Sequence, residues 1–238
     1  MIGWWDPMYL VFAGPALLLG LLARVWIRSA YRKGLQVPNA GNVTGLEGAE
    51  ILMRQHGLGM RVEVAASELK DNYDPRNDVL CLSQSAAQSA SVGSLAIVAH
   101  ELGHALQDDE SYAPMRVRSA LVAPVNIGSQ LGFALFMVGF VLSYWMGLYS
   151  IGRWVSWAGI FGFCIAVLFA LVTLPVEFDA SRRGLAMLTD SELVAPSEMR
   201  YARNVLYAAA LSYVAGLLQA VGQVLYYVYR LNRGRRRR

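Results

Sequence analysis

Charged residues are scarce in this chain of 238 residues. Asp, Glu, Lys and Arg make up 16% of it, 55% is hydrophobic, and the mean hydropathy is +0.37. An ordinary soluble domain carries about 25% charged residues. Three stretches have no charged residue at all, and they cover 119–152, 154–176 and 204–229. Each can supply the roughly 20 helical residues that cross a hydrocarbon core. The composition therefore argues against a soluble fold, which could not bury three such stretches in so small a chain.

Cysteine and histidine are also rare, with two and three residues respectively. Cys81 falls in a predicted strand and Cys164 in a predicted span, so we expect no disulfide and a packing role for each. The net charge of +4 comes mainly from residues that flank the apolar stretches and from an arginine tail. Basic residues are not interleaved with aromatic ones on a soluble segment, as nucleic-acid binding would require. The expected partner is the lipid bilayer, with no nucleic acid.

A fourth apolar stretch, Met8 to Ala23, lies near the start of the chain and precedes a basic cluster at 24–33. It has no basic residue before it and no small-residue cleavage site after it, so it predicts an uncleaved anchor with its C-terminal end in the cytoplasm. Alternation then predicts a multi-pass protein of the cell membrane, with 31–118 and 177–203 on the cytoplasmic side. The arginine tail at 230–238 would end outside, against the positive-inside tendency, unless the last apolar stretch bends or does not fully cross.

The pentapeptide His100-Glu101-Leu102-Gly103-His104 contains two of the three histidines. On an α-helix, positions i and i+4 lie on one face, so both imidazoles can bind one metal ion. Glu101 can then reach a water molecule on that metal. This H-E-x-x-H pattern is typical of zinc metalloproteases. The alternative is a helix that carries two surface or capping histidines.

The segment before the motif predicts a small α+β unit. A helix over 48–55 ends at Gly57, and strands over 61–65 and 79–82 are expected to pair as a hairpin around turn residues at 71–77. A helix over 89–107 then carries the motif. An exposed strand edge beside that helix can pair with an extended peptide. The alternative is a hairpin that only packs against the helix.

A third metal ligand is expected, because a catalytic zinc usually has three protein ligands and one position for water. His56 is predicted at a surface helix end and is a poor candidate. Glu177 is the better one, because a carboxylate next to a membrane span is costly unless it is paired or bound to a cation. The alternative is a solvated residue at the end of a span. Asp179 is either a partner of the metal ligands or a helix cap.

Several short segments between residues 71 and 183 resemble one bacterial family. They are 71–76 (DNYDPR), 99–107 (AHELGHALQ), 112–114 (YAP), 118–121 (RSAL), 125–128 (VNIG) and 174–183 (LPVEFDASRR). In these segments the chain resembles the YugP-like membrane zinc metallopeptidases. The resemblance implies a membrane-embedded gluzincin, loosely similar to HtpX-like proteases.

The resemblance also implies a role for Glu177. HtpX-like proteases place a glutamate ligand in an E-[FY]-x-A-D segment after later membrane helices, and Glu177, Phe178 and Ala180 match that pattern. Ser181 stands where the pattern has Asp, and Asp179 is the candidate substitute. Asn72 stands where the family's D-H-Y-D-P segment has His, which argues against a proton donor at this position.

These observations predict a mainly α integral membrane protein with about four transmembrane helices. A small zincin-like catalytic segment, made of a β-hairpin and the H-E-x-x-H helix, is expected at the membrane surface. The expected divisions are an anchor at 1–30, the catalytic segment at 31–118, two spans at 119–176, the segment of the third ligand at 177–203, and a last span with the basic tail at 204–238.

The predicted function is zinc-dependent hydrolysis of peptide bonds in peptides or membrane proteins. His100, His104 and Glu177 are the expected Zn²⁺ ligands, and Glu101 is the expected general base. Tyr73, Tyr112 and Arg182 are candidates for stabilising the oxyanion, and the sequence does not choose among them.

Two other functions stay open, a zinc-binding membrane scaffold without proteolytic activity and a transporter subunit. The intact Glu101 argues against the scaffold, because metal binding alone needs no base. The spans lack ionisable residues in their middle, which argues against the transporter.

Overall fold

A computed structural model describes residues 7–65 and 71–233. Within them the chain forms seven helices and three strands. In order these are α1 Pro7–Gln36, α2 Gly45–His56, β1 Arg61–Ala65, β2 Asn72–Asp74, β3 Val79–Ser83, α3 Gln84–Gln88, α4 Val92–Asp109, α5 Ala113–Tyr144, α6 Tyr149–Asp190 and α7 Met199–Arg233. Helices α1, α5, α6 and α7 are long and apolar enough to cross a membrane. The mainly α architecture with four candidate spans and a small β part confirms the predicted fold class.

The chain divides into two compact units, and each of the four long helices contributes residues to both. One unit contains the described residues up to Leu22, together with 117–173 and those from Tyr213 onward. We call it the apolar unit. The other contains 23–116 and 174–212, and we call it the motif unit because it includes the H-E-x-x-H pentapeptide.

Small residues pack α5 against α6 inside the apolar unit. A Cβ added at Gly132 would lie 2.9 Å from the carbonyl oxygen of Gly159, and one added at Gly159 would lie 2.6 Å from the backbone nitrogen of Phe136. Such close backbone approach is how membrane helices associate where no hydrophobic driving force acts between them. Large apolar side chains point outward from this unit, and Phe161 is 70% exposed. A lipid environment explains that exposure.

The motif unit has a hydrophobic core, in which side chains of α2, α4 and the sheet pack together. Leu52, Leu80, Leu95 and Leu102 are fully buried there. Helix α2 begins with a capping box, because the Thr44 side chain accepts a hydrogen bond from the Glu47 backbone while the Glu47 carboxylate accepts one from the Thr44 backbone. It ends at Gly57, whose φ of 69° is the left-handed value that glycine adopts without strain. The prediction of a helix ended by Gly57 is confirmed.

The predicted hairpin between 61–65 and 79–82 is wrong. Strand β1 does pair with β3, but in parallel, with Arg61 opposite Val79. The antiparallel partner of β3 is the short strand β2, with Tyr73 opposite Leu80, and the strand order is β1-β3-β2. A tight turn closes this pair, because the Asp74 carboxylate accepts hydrogen bonds from the Arg76 backbone and the Asn77 side chain. The connection from β1 to β3 is long enough for a parallel crossover, which a tight turn could not make.

Helix α6 continues without a break through Pro175 to Asp190. Proline is tolerated inside membrane helices where neighbouring groups satisfy the backbone that it frees. Glu177 and Asp179 therefore lie on a helix and have fixed directions relative to each other. This excludes the role of helix cap for Asp179.

Candidate metal centre

Helices α4 and α6 cross at close range in the motif unit, and their backbones touch at two points. A Cβ added at Gly184 would lie 2.7 Å from the carbonyl oxygen of Ala99 and 3.0 Å from the backbone nitrogen of His100. A Cβ added at Gly103 would meet the Ala180 backbone in the same way. The pairing of 99 with 184 and 103 with 180 means that the two helices run in opposite directions. Only glycine at both positions permits this approach.

The crossing brings three candidate metal ligands together. The Nε2 atoms of His100 and His104 lie 3.4 and 3.6 Å from Oε2 of Glu177. Ligand atoms about 2.0–2.2 Å from a tetrahedral zinc lie about 3.3–3.6 Å apart, so the observed spacing fits one ion. Glu177 is only 1% exposed and His104 only 6%. A buried carboxylate beside two imidazoles is a nitrogen and oxygen donor set that suits zinc. Within the described residues these three side chains form a group that could hold a metal ion.

The other ring nitrogen of each histidine has a hydrogen-bond partner. Nδ1 of His104 lies 3.0 Å from Oε1 of Gln107, which is fully buried one helical turn further along α4. Nδ1 of His100 lies 3.2 Å from Oγ of Ser181. Partners at Nδ1 fix the ring orientation and direct Nε2 toward a metal.

Asp179 is linked to this arrangement through Gln107. The Gln107 side-chain amide donates to Oδ2 of Asp179 over 3.0 Å and to the backbone carbonyl of Val176 over 2.8 Å. Asp179 also accepts hydrogen bonds from the guanidinium groups of Arg182 and Arg183. The carboxylate that was expected to support the metal ligands therefore lies two hydrogen bonds away from His104.

Glu101 lies between the two histidines in the sequence and is held by the sheet. Its Oε2 accepts a hydrogen bond from the Tyr73 backbone N–H on strand β2 over 3.0 Å. Removal from water raises the pKa of the Glu101 carboxyl above its ordinary value, and the neighbouring Glu177 carboxylate adds to this. The two imidazoles and the Tyr73 hydrogen bond act in the opposite direction. A carboxylate with a raised pKa, next in sequence to a candidate metal ligand, can accept a proton from water.

The candidates for oxyanion stabilisation have other partners. The Tyr73 hydroxyl donates toward Asp78 and Asp108 over 3.2 and 3.1 Å. Burial, and then the Asp108 charge, raise the pKa of this phenol above its ordinary value, so it stays protonated. Arg182 is bound to Asp179 and largely exposed, and Tyr112 lies under the Arg183 guanidinium. The described side-chain contacts of these three candidates are therefore with Asp78, Asp108, Asp179 and Arg183.

His56 is exposed at the C-terminal end of α2, outside the candidate metal group, as the sequence predicted. Gln107 was missed in the sequence as a hydrogen-bond partner of the candidate metal ligand His104. Its signal was available, because residues three apart on a helix are neighbours and Gln107 follows His104 by three. The contact of Ser181 with His100 had only a weak signal in the sequence, which was the position of Ser181 in the family pattern.

Cys81 and Cys164 are both free.

Comparisons with known proteins find a family model and a relative that match most of the chain. The family model described as "Putative neutral zinc metallopeptidase" matches residues 9–232. The protein named "Putative membrane protease YugP" from Bacillus subtilis (strain 168) is 34% identical over 221 residues, which cover 92% of this chain and 95% of that protein. No solved structure matches the chain.

Proposed function

We propose that this chain, which belongs to the family of neutral zinc metallopeptidases, is a membrane-embedded zinc-dependent endopeptidase. The observation that carries the proposal is that the Nε2 atoms of His100 and His104 lie 3.4 and 3.6 Å from Oε2 of the buried Glu177. The two histidines lie on the same stretch of α4 as Glu101. His100, His104 and Glu177 are the proposed Zn²⁺ ligands. The proposed substrates are peptides or membrane proteins.

Each residue has a distinct part in the proposed reaction. His100 and His104 would hold the ion through their Nε2 atoms and Glu177 through its carboxylate. Zinc, when bound, lowers the pKa of water to near 7 and polarises a carbonyl group. Glu101 accepts the proton of the attacking water and passes it to the leaving amine. The Tyr73 backbone N–H donates to the Glu101 carboxylate and so restricts its rotation.

Orientation in the membrane belongs to the same proposal. We place the active site on the cytoplasmic side, because the basic residues that follow the first span and those that precede the second flank the segment with the motif. The four long apolar helices support a multi-pass membrane location.

Replacement of Glu101 by Gln tests the proposed catalytic base. Gln is nearly isosteric and still accepts the Tyr73 hydrogen bond, but it cannot take a proton from water. We expect unchanged zinc content and a loss of peptide hydrolysis on the order of 10²- to 10⁴-fold. The measurement is cleavage of a quenched fluorescent peptide library by purified protein in detergent. Glu50→Gln, on the exposed face of α2, is the matched control. Activity within about twofold of wild type in Glu101→Gln would rule out Glu101 as the base.

Replacement of Glu177 by Ala tests the proposed ligand set. Loss of a ligand should weaken zinc binding by more than the roughly 10- to 100-fold that changes in supporting residues cause. Zinc affinity is measured by competition with a chelator of known affinity. His56→Ala is the control for His100→Ala and His104→Ala, because it removes the one histidine outside the cluster. If Glu177→Ala binds zinc as tightly as wild type, Glu177 is not a ligand.

A further inference from the structure

The Gln107 side chain has three hydrogen-bonding partners that fix which way its amide faces. Its two N–H groups point at the Val176 carbonyl and at the Asp179 carboxylate, and its Oε1 points at Nδ1 of His104. A carbonyl and a carboxylate can only accept hydrogen bonds. The reversed amide would place its oxygen against both acceptors. This orientation is therefore set by chemistry, and it leaves only Oε1 for His104.

An oxygen facing Nδ1 decides the tautomer of His104. The amide oxygen can only accept, so Nδ1 must carry the proton. In a neutral imidazole the other nitrogen then has the lone pair. That nitrogen, Nε2, is the atom 3.6 Å from Oε2 of Glu177. A reversed amide would donate to Nδ1, place the proton on Nε2 and prevent metal binding there.

We infer that Gln107 is a positioning residue that selects the metal-binding tautomer of His104, and that Asp179 acts on His104 through the Gln107 amide. The inference rests on the proposed function, since it concerns the histidine proposed to bind zinc. Asp179 is itself held by Arg182 and Arg183, and Arg183 also bonds Glu110 just after the end of α4 over 2.8 Å.

Burial strengthens this relay from Asp179 through Gln107 to His104. Gln107 is fully buried, and Asp179 is only 7% exposed. Water therefore cannot readily replace either partner, and an unmatched donor or acceptor at this place is costly. Residues 176–179 of α6 include Glu177 and also the two groups that accept hydrogen bonds from Gln107. One turn of this helix therefore supplies one proposed ligand and orients a second, His104.

Zinc affinity of Gln107→Met provides the first test. Methionine is similar in size and keeps the volume but makes none of the three hydrogen bonds. We expect zinc binding, measured by chelator competition on the full chain, to weaken by roughly 10- to 100-fold. Gln55→Met, an exposed glutamine on α2, should bind as wild type does. Thermal unfolding of the metal-free proteins reports any general damage to the fold.

The tautomer provides a readout that a purely structural role of Gln107 would not move. The chain has only three histidines, so ¹⁵N-labelled histidine gives three rings, with His56 as an internal reference. In the metal-free wild type we expect the ¹⁵N shifts of His104 to show Nδ1 protonated, because the Gln107 amide oxygen facing it can only accept. In metal-free Gln107→Met we expect a measurable fraction of His104 to lose the Nδ1 proton and carry it on Nε2, while the resonances of His56 stay in place.

A double variant tests whether Asp179 acts through Gln107. Asp179→Asn replaces a group that only accepts by one that can also donate, and so weakens the selection of the amide orientation. We expect a loss of zinc affinity of several-fold in the wild-type background and of less than about twofold when Gln107 is already Met. Asp190→Asn, exposed at the end of the same helix, is the control.

The outcomes separate this inference from the proposed function. If Gln107→Met binds zinc as wild type does while His104→Ala does not, the inference is wrong and the proposed metal site stands. Equal losses from Asp179→Asn in both backgrounds would overturn the relay. If the wild-type protein itself binds no zinc, the proposed function fails.

Discussion

Substitution of Gly184 by Ala should weaken metal binding without a comparable loss of stability. The added Cβ would lie 2.7 Å from the Ala99 carbonyl oxygen and 2.8 Å from its carbon, at the peptide that leads into His100. A carbon–oxygen contact relaxes at about 3.3–3.6 Å, so the two helices must separate by roughly 0.6 Å or more. Metal–ligand distances tolerate only about ±0.2 Å. The displacement therefore exceeds what the three ligands can absorb.

Two opposing terms set the size of the effect. Overpacking of this kind costs about 1–3 kcal/mol, whereas Ala in place of Gly inside a helix gains about 1 kcal/mol. The gain stabilises the helix with or without the ion, so it offsets the loss of stability in the metal-free protein. It does not restore the ligand geometry. We therefore expect a small change in the unfolding of the metal-free protein and a zinc affinity reduced about tenfold or more.

Chelator competition and thermal unfolding of the same purified protein measure the two quantities. Gly59→Ala is the control, because Gly59 lies in the motif unit and a Cβ there meets nothing within 4 Å. It should leave zinc affinity unchanged. Wild-type zinc affinity in Gly184→Ala would show that the close crossing of α4 and α6 does not set the ligand geometry.

Three further predictions concern other parts of the protein. Thr44→Ala removes one side of the capping box with Glu47 and should cost about 1 kcal/mol of unfolding free energy, measured by denaturant titration, with zinc affinity unchanged. In the metal-free protein, Glu101→Gln should raise the unfolding temperature at neutral pH, because the raised pKa of Glu101 means that its ionisation destabilises the fold. This gain should disappear when the pH falls below the ordinary pKa of a glutamate. A gain that does not depend on pH would contradict the reasoning. In a variant without native cysteines, Ser150→Cys should react with a membrane-impermeant thiol reagent on intact cells, whereas Gln88→Cys should react only after permeabilisation. The reverse result would place the H-E-x-x-H motif outside the cell.

The local pattern of residue types in the sequence predicts the membrane helices and the candidate metal ligands. Apolar stretches without charge predicted four membrane helices, because a helix of about 20 residues must be apolar along its whole length to cross a bilayer. The positions of His100 and His104 on one helix face followed from 3.6 residues per turn alone. The cost of a carboxylate next to a span indicates Glu177, and its Oε2 lies 3.4 and 3.6 Å from the two histidine Nε2 atoms.

Contacts between distant segments were decided only by the tertiary structure. The pairing of β1 with β3 could not be read correctly, because alternation of apolar residues marks a strand but carries no information about the direction of its partner. Gln107 lies 69 residues before Val176 and gains its role only where α6 supplies two acceptors to its amide. That meeting depends on two helix backbones coming into contact at Gly103 and Gly184. The sequence by itself determined which residues can bind a metal, because this depends on side-chain chemistry and helical spacing, whereas their distances and hydrogen-bond partners depend on how the helices pack.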